Sequence, residues 1–267
     1  MLKYFTSDKA FLLFSPAILG MLGLAAITYC STFFFSAIAW KYLLSIHTTA
    51  PRVTVLYGIL ASTQLAKYIP GNVLQHLARA TLSMNRAISA KVFTQSIIQE
   101  MSLAVAVGLV VGFPVILSQE VALRWLADSY LIIGLGLVIL IVAAQLVCTR
   151  ILRFNIFFPP LPQPPLLYAI VYLLMGLSIY ELALALNIEV GFIYLVSSFA
   201  LAWVVGFLTL GAPAGLGSRE AILVILLTKH ITPEEAATLS LAIRLATMLG
   251  DGISFFVGTA ILRRAHE

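Results

Sequence analysis

A hydroxyl, a cation and an anion stand in direct succession at Ser218-Arg219-Glu220, behind the run Gly211-Ala212-Pro213-Ala214-Gly215-Leu216-Gly217. Pro213 cannot supply a helical N–H, and Gly215 and Gly217 let the backbone take positive φ, so a helix should break here. Ser218 suits the N-cap of the helix that restarts, and Glu220 in its first turn complements the positive dipole end. The free N–H groups of that new helix, beside Arg219, make a site for a phosphate or an anionic headgroup. The plainer reading is a capped loop whose Arg219 and Glu220 face water.

Three further charged positions fall inside apolar sequence. Arg244 and Asp251 lie seven apart in the last hydrophobic run, on one helical face with Thr247 between them. A central Arg costs on the order of 2.5–3.5 kcal/mol to insert unless compensated, so Arg244 either closes an internal salt bridge or faces a wet cavity. Glu100 sits about two turns inside its own run, on which Lys91, Gln95 and Gln99 share one face. It is either a functional group or a headgroup-level partner for a Lys or Arg. A second break, Lys67-Tyr68-Ile69-Pro70-Gly71-Asn72, precedes an amphipathic piece. There Leu74, Leu77, Ala78 and Leu82 form an apolar stripe, with Gln75, Arg79 and Arg86 on the other side. Such a piece lies in the membrane interface or re-enters the bilayer.

The elements that must position these groups are transmembrane helices. Hydrophobic residues make up 61% of the 267-residue chain and charged residues 10%, with a mean hydropathy of +1.03. That composition excludes a soluble domain, and several runs approach the roughly 20 apolar residues that cross a bilayer. No alternating pattern suggests barrel strands. The net charge of +5 comes from basic residues strung beside the hydrophobic runs, which fits topology signals and lipid headgroups and not a nucleic-acid partner. Cys30 and Cys148 read as small buried residues, and the four histidines fall at loops or ends. Neither a disulfide framework, a metal site nor a cofactor is expected.

The expected fold is an all-α integral membrane protein of about eight transmembrane helices, with broken or re-entrant helices near 70–86 and 211–220. The spans are read at 17–41, 53–69, 88–117, 130–147, 166–186, 190–210, 221–228 and 236–262. The Pro-rich segment 157–165 separates possible halves, about 1–155 and 166–267, of one polytopic domain, a 4+4 pseudo-repeat. The alternative of a cleavable leader over the first run lacks a small-x-small site. Eight spans with an inside N-terminus place eleven Lys and Arg on the inner side against four outside, so both termini are expected in the cytoplasm. Gly108/Gly112 and Gly134/Gly136 offer small-residue packing faces.

Tyr68-Ile69-Pro70-Gly71 followed by Arg79, then Glu100, then Pro213-Ala214-Gly215-Leu216-Gly217-Ser218-Arg219-Glu220 and Arg244, resemble the lysylphosphatidylglycerol synthase transmembrane region. The resemblance runs over roughly residues 50–262. It implies a polytopic helical domain with a lipid-accessible cavity, associated with moving lipids or lipid-linked headgroups between leaflets. The family often has Glu-Arg where this chain has Glu100-Met101, so a charge pair there must be made differently. Against the family pattern, a short N-terminal part and the lack of a soluble aminoacyl-transferase domain after Glu267 are expected, so the synthase reaction is not expected of this chain.

The resulting expectation is a flippase-like translocator or permease, not an enzyme, in a bacterial or archaeal inner membrane. It would move an anionic phospholipid or a polyprenyl-linked headgroup. Arg79, Pro213, Gly215, Gly217, Ser218, Arg219, Glu220 and Arg244 form the candidate substrate-binding set, Glu100 and Asp251 the cavity counter-charges, and Pro70 and Gly71 the first helix break. Two alternatives compete: an integral-membrane lipid-modifying enzyme, or a non-transporting subunit that scaffolds an envelope-assembly enzyme. The enzyme reading lacks a G-x-S-x-G elbow or a His/Cys/Asp cluster with metal spacing.

Overall fold

The computed structural model describes residues 16–69, 74–117, 162–209 and 213–265. Among these residues there are eight α-helices and no strand: α1 (Pro16–Ser45), α2 (Val53–Ser62), α3 (Leu74–Met84), α4 (Ala90–Leu117), α5 (Gln163–Ala185), α6 (Phe192–Leu208), α7 (Ser218–Leu227) and α8 (Pro233–Arg264). Short 3-10 turns at Gln64–Tyr68 and Pro213–Gly215 complete them. The local signals are those of helix ends. Pro164 and Pro165 fall in the first turn of α5, where a missing N–H costs nothing. At α8 the Thr232 side chain accepts the Glu235 N–H while the Glu235 carboxylate takes the Thr232 N–H, a capping box followed by Pro233.

Among the described residues α1, α4, α5 and α8 are long and apolar enough to cross a membrane, with α6 a shorter apolar helix of 17 residues. The expected all-helical membrane fold holds, and about eight spans is slightly more than these residues show. The runs read as spans two and seven become the ten-residue helices α2 and α7, each about 15 Å long and half the thickness of the hydrocarbon. The expected fourth span at 130–147, most of the Pro-rich segment, and the break residues Pro70 and Gly71 lie outside the described residues.

Packing fixes the directions of the helices. Thr28 donates to Glu181 at 2.9 Å, and Ala39 clusters with Tyr168, so α1 and α5 are antiparallel. Cys30 donates to the Gly250 carbonyl, and Ala37 and Trp40 share a cluster with Leu262, so α1 and α8 run parallel. α2 runs against both, because Gly58 lies at Leu262 and Ala61 at Gly258. The chain then returns through α3, and Ile88 and Phe93 join Leu44, Leu56 and Trp40 in one cluster. α2 and α3 are therefore a hairpin that enters and leaves on the face where α1 and α8 end. α6 and α7 make a second hairpin, closed at its base where Tyr194 donates to the Leu226 carbonyl at 2.6 Å. That base lies beside the end of α5 and the start of α8, on the opposite face. The start of α1 and the end of α8 lie on opposite faces of the bundle; both termini, expected on one side, lie outside the described residues.

α3 shows how lipid inverts amphipathicity. Arg79 and Ser83 are buried while Leu74, Leu77 and Met84 are exposed, so the polar side faces protein and the apolar stripe faces outward. Val110, Phe256 and Ile193 are 70–73% exposed on the outer surface of the bundle, an apolar girdle that suits hydrocarbon and not water. Glycines let helices approach inside it. A Cβ at Gly258 would come within 2.7 Å of the Ala61 Cβ, and Gly108 and Gly112 lie against Val204 and Leu201 of α6, so that pair of glycines serves the fold itself.

Two outcomes check this arrangement. Gly258→Leu should destabilise the protein by about 1–3 kcal/mol through overpacking against α2, read as a lower melting temperature in detergent. With Cys30 and Cys148 replaced by Ser, Thr49→Cys and Glu189→Cys should react with an impermeant thiol reagent from opposite sides of oriented vesicles. Labelling of both from the same side would show that α2 crosses the membrane and would overturn the hairpin.

Candidate functional site

Between the two hairpins lies a cavity of about 460 Å³. Arg79, Glu100, Gly215, Arg219, Arg244 and Asp251 all line it, six residues drawn from five segments of sequence. Such convergence of polar groups in an otherwise apolar pocket is the usual form of a ligand site.

The two hairpin tips are joined through α8. Arg244, 7% exposed, donates from NH1 to the Ala214 carbonyl and pairs with Glu220 Oε1, both at 3.3 Å. Its guanidinium also lies over the Tyr68 ring, 5.6 Å from the centroid. Two turns later the fully buried Asp251 takes Lys67 Nζ at 2.8 Å, Tyr68 OH at 2.6 Å and Tyr29 OH at 3.1 Å. Arg244 and Asp251 do share one face, as their spacing implied. They do not pair with each other; Arg244 holds the tip of the α6–α7 hairpin and Asp251 holds that of the α2–α3 hairpin.

A third pair closes the other side of the cavity. Arg79 makes a bidentate bridge to Glu100, at 3.0 and 2.6 Å, with its guanidinium 3.8 Å from the Trp40 ring centroid. The α3 arginine thus supplies the partner that position 101, a Met here, does not. Trp40 is held in turn by its indole N–H, which donates to Ser96 at 3.0 Å.

The break before α7 is built by backbone conformation. Ala214, Gly215 and Gly217 have φ of 50°, 69° and 83°, and a Cβ at Gly215 would stand 3.0 Å from the Gly206 carbonyl. Gly217, not Ser218, is the N-cap residue: its N–H donates to Glu220 Oε2 at 2.7 Å, while Ser218 Oγ turns back to the Gly215 carbonyl. Pro213, Gly217, Ser218 and Glu220 shape and brace the tip without lining the large cavity. Arg219 points into it. Among the described residues Arg219 has no ion-pair or hydrogen-bond partner, and its Nε is buried without one.

Residues 9–253 match the family described as the lysylphosphatidylglycerol synthase TM region. The chain belongs to that family. No curated protein and no solved structure matches it.

Lys67, Tyr68 and Tyr29 are site residues of this family member that spacing did not single out. Lys67 and Tyr68 stood in plain view before Pro70, but the local signal there was a helix stop. Their role depends on Asp251, 184 positions away from Lys67. His76 was expected at a loop or end and instead lies within α3 on the cavity wall. Among the described residues no group of three His, Cys, Asp or Glu could hold a metal ion.

Asp251→Asn should leave Lys67 without its carboxylate and cost about 3–5 kcal/mol of stability, measured by thermal unfolding in detergent. The double variant Lys67→Met/Asp251→Asn should recover much of that loss, because no buried charge is then left unpaired.

Proposed function

We propose that this membrane protein carries an anionic lipid headgroup through the cavity between its two hairpins, moving the lipid between leaflets without covalent chemistry. The observation that carries the reading is Arg219, an uncompensated guanidinium facing a headgroup-sized cavity in which the other charges are already paired. An anion drawn through hydrocarbon loses its hydration at a cost of many kcal/mol, and a fixed cation with open donors offsets that cost. Hairpins from opposite faces give the cavity walls that can part toward either leaflet, the arrangement in which transporters place sites at broken helices. The acyl chains stay outside, along the apolar girdle. Family membership supports a lipid as cargo.

In this reading the protein sits in an inner membrane with the end of α8 in the cytoplasm. Among the described residues Lys41, Arg52, Arg86, Lys91, Arg263 and Arg264 lie at the face where α1 and α8 end, and Lys229 at the other. The positive-inside rule favours that orientation.

Purified protein in vesicles should accelerate leaflet exchange of a fluorescent anionic phospholipid, and Arg219→Gln should slow it at least about tenfold, the loss of one charge-assisted contact. Equal exchange by the variant would remove Arg219 from the path. An absence of exchange by the wild type, with a stoichiometric partner recovered on purification, would turn the assignment to a scaffold subunit.

A further inference from the structure

We infer that Glu181 is a proton-binding site, a neutral carboxylic acid at neutral pH in the seam between α1 and α5. The group lies outside the cavity, and its protonation does not depend on what the cavity carries.

Three other carboxylates of the bundle have a cation: Glu100 pairs with Arg79, Glu220 with Arg244 and Asp251 with Lys67. Glu181 has none. No other Asp, Glu, Lys or Arg stands on α5. The helix ends at Ala185, which puts Glu181 about 6 Å inside that end. Its Oε1 lies 2.9 Å from Thr28 Oγ1, and its Oε2 is buried without a partner. On the same face of α5, Leu177 and Leu184 are exposed on the apolar outer surface, and Ile27 is exposed beside Thr28 on α1.

The helices packed against α5 are α1, α4, α6 and α8, and no cation on them is placed to answer Glu181. α6 carries no charged residue. Lys41 of α1, Lys91 of α4 and Arg263 and Arg264 of α8 lie at the opposite face, where α1 and α8 end. Arg244 is held by Glu220 and the Ala214 carbonyl. Glu234 and Glu235 at the start of α8 add only negative charge. The titratable hydroxyls and thiol nearby are engaged elsewhere: Tyr29 with Asp251, and Tyr172, Tyr194 and Cys30 with backbone carbonyls. Tyr180 stands edge-on to Phe192, and His230 lies against Tyr194. In the loops on that face Glu189 and Lys229 are exposed.

An ionised Glu181 would keep a full charge beside hydrocarbon, with one oxygen lacking any donor. One proton resolves both problems. Placed on Oε1, it is donated to the Thr28 hydroxyl, which gives and accepts bonds alike. Oε2 is then a neutral carbonyl oxygen, for which a missing partner costs much less than for a carboxylate oxygen. Loss of that proton would charge the seam, which must then admit water or part α1 from α5. The contact between these helices is thereby made sensitive to pH on the side of the membrane where α5 ends.

Infrared spectroscopy of the full-length protein in lipid nanodiscs at pH 7 tests this. An ordinary glutamate is about 0.2% protonated at that pH, so the carbonyl band of a protonated carboxyl is decisive. The wild type should show the band, shifted to lower frequency in D2O, and Glu181→Gln should lose it. Incorporation of 13C-glutamate into the wild type should also lower its frequency, which assigns the band to a Glu without any variant. Thr28→Val should keep the band and raise its frequency, because the bond to the hydroxyl is gone. A wild type without the band at pH 7 holds a carboxylate and overturns the inference. A band that survives in Glu181→Gln, or that 13C-glutamate leaves in place, belongs to another group and overturns it equally.

Discussion

A buried charge in a bilayer must be answered by another, and the answers given to Arg244 and Asp251 hold this bundle together. Both stand on α8, an uninterrupted helix of 32 residues. Neither hairpin crosses the membrane, and each tip carries 3-10 turns and open backbone that lipid does not tolerate. The tips persist inside the protein because Arg244 caps one with its bonds to Ala214 and Glu220 and Asp251 gathers three donors from the other and from α1. Burying these ions costs several kcal/mol each before pairing. What they secure is register: the tip residues are placed by ion pairs whose geometry has one solution, whereas apolar side chains alone would permit sliding.

The helical class, the breaks and most of the charged cavity residues could be read from sequence because each is a local signal. Apolar runs announce helices, Pro-Gly clusters end them, and an Arg or Asp inside such a run is conspicuous by its cost. Arg79, Glu100, Arg219, Arg244 and Asp251 were found in that way, and all line one cavity. The pairing among them was not legible. Arg79 meets Glu100 and Arg244 meets Glu220 because α3 and α7 fold back, and whether a helix of ten apolar residues crosses or folds back is decided by what it packs against. Val53–Ser62 looked like most of a span on composition, and only its contacts with the end of α8 show that it turns. Ser218 was an equally local misreading: its hydroxyl suits an N-cap, but Gly217 at positive φ occupies that position and Glu220 closes it.

The two hairpins differ in ways that assign them different work. At the α2–α3 tip the described charges are paired: Lys67 and Tyr68 are bound to Asp251, and Arg79 behind them is locked to Glu100 under Trp40. The α6–α7 tip carries positive φ at Ala214, Gly215 and Gly217, and Arg219, a cavity-lining arginine without a partner among the described residues. Strain of this kind costs on the order of 1–3 kcal/mol per non-glycine residue and survives where the surroundings enforce it. Here the enforcing group is Arg244, which binds the Ala214 carbonyl at the strained residue itself.

That coincidence links the ligand to the conformation. Arg244 holds the strained tip with NH1 while its Nε and NH2 are buried without a partner. An anion arriving between Arg219 and Arg244 competes with the Ala214 carbonyl and Glu220 for the same guanidinium. If the ligand draws Arg244 away, the tip loses the contact that keeps Ala214 in its left-handed conformation, and the α6–α7 hairpin is free to relax away from α8. Under the proposed function, engagement of Arg244 by an anion is therefore coupled to the conformation of the α6–α7 tip.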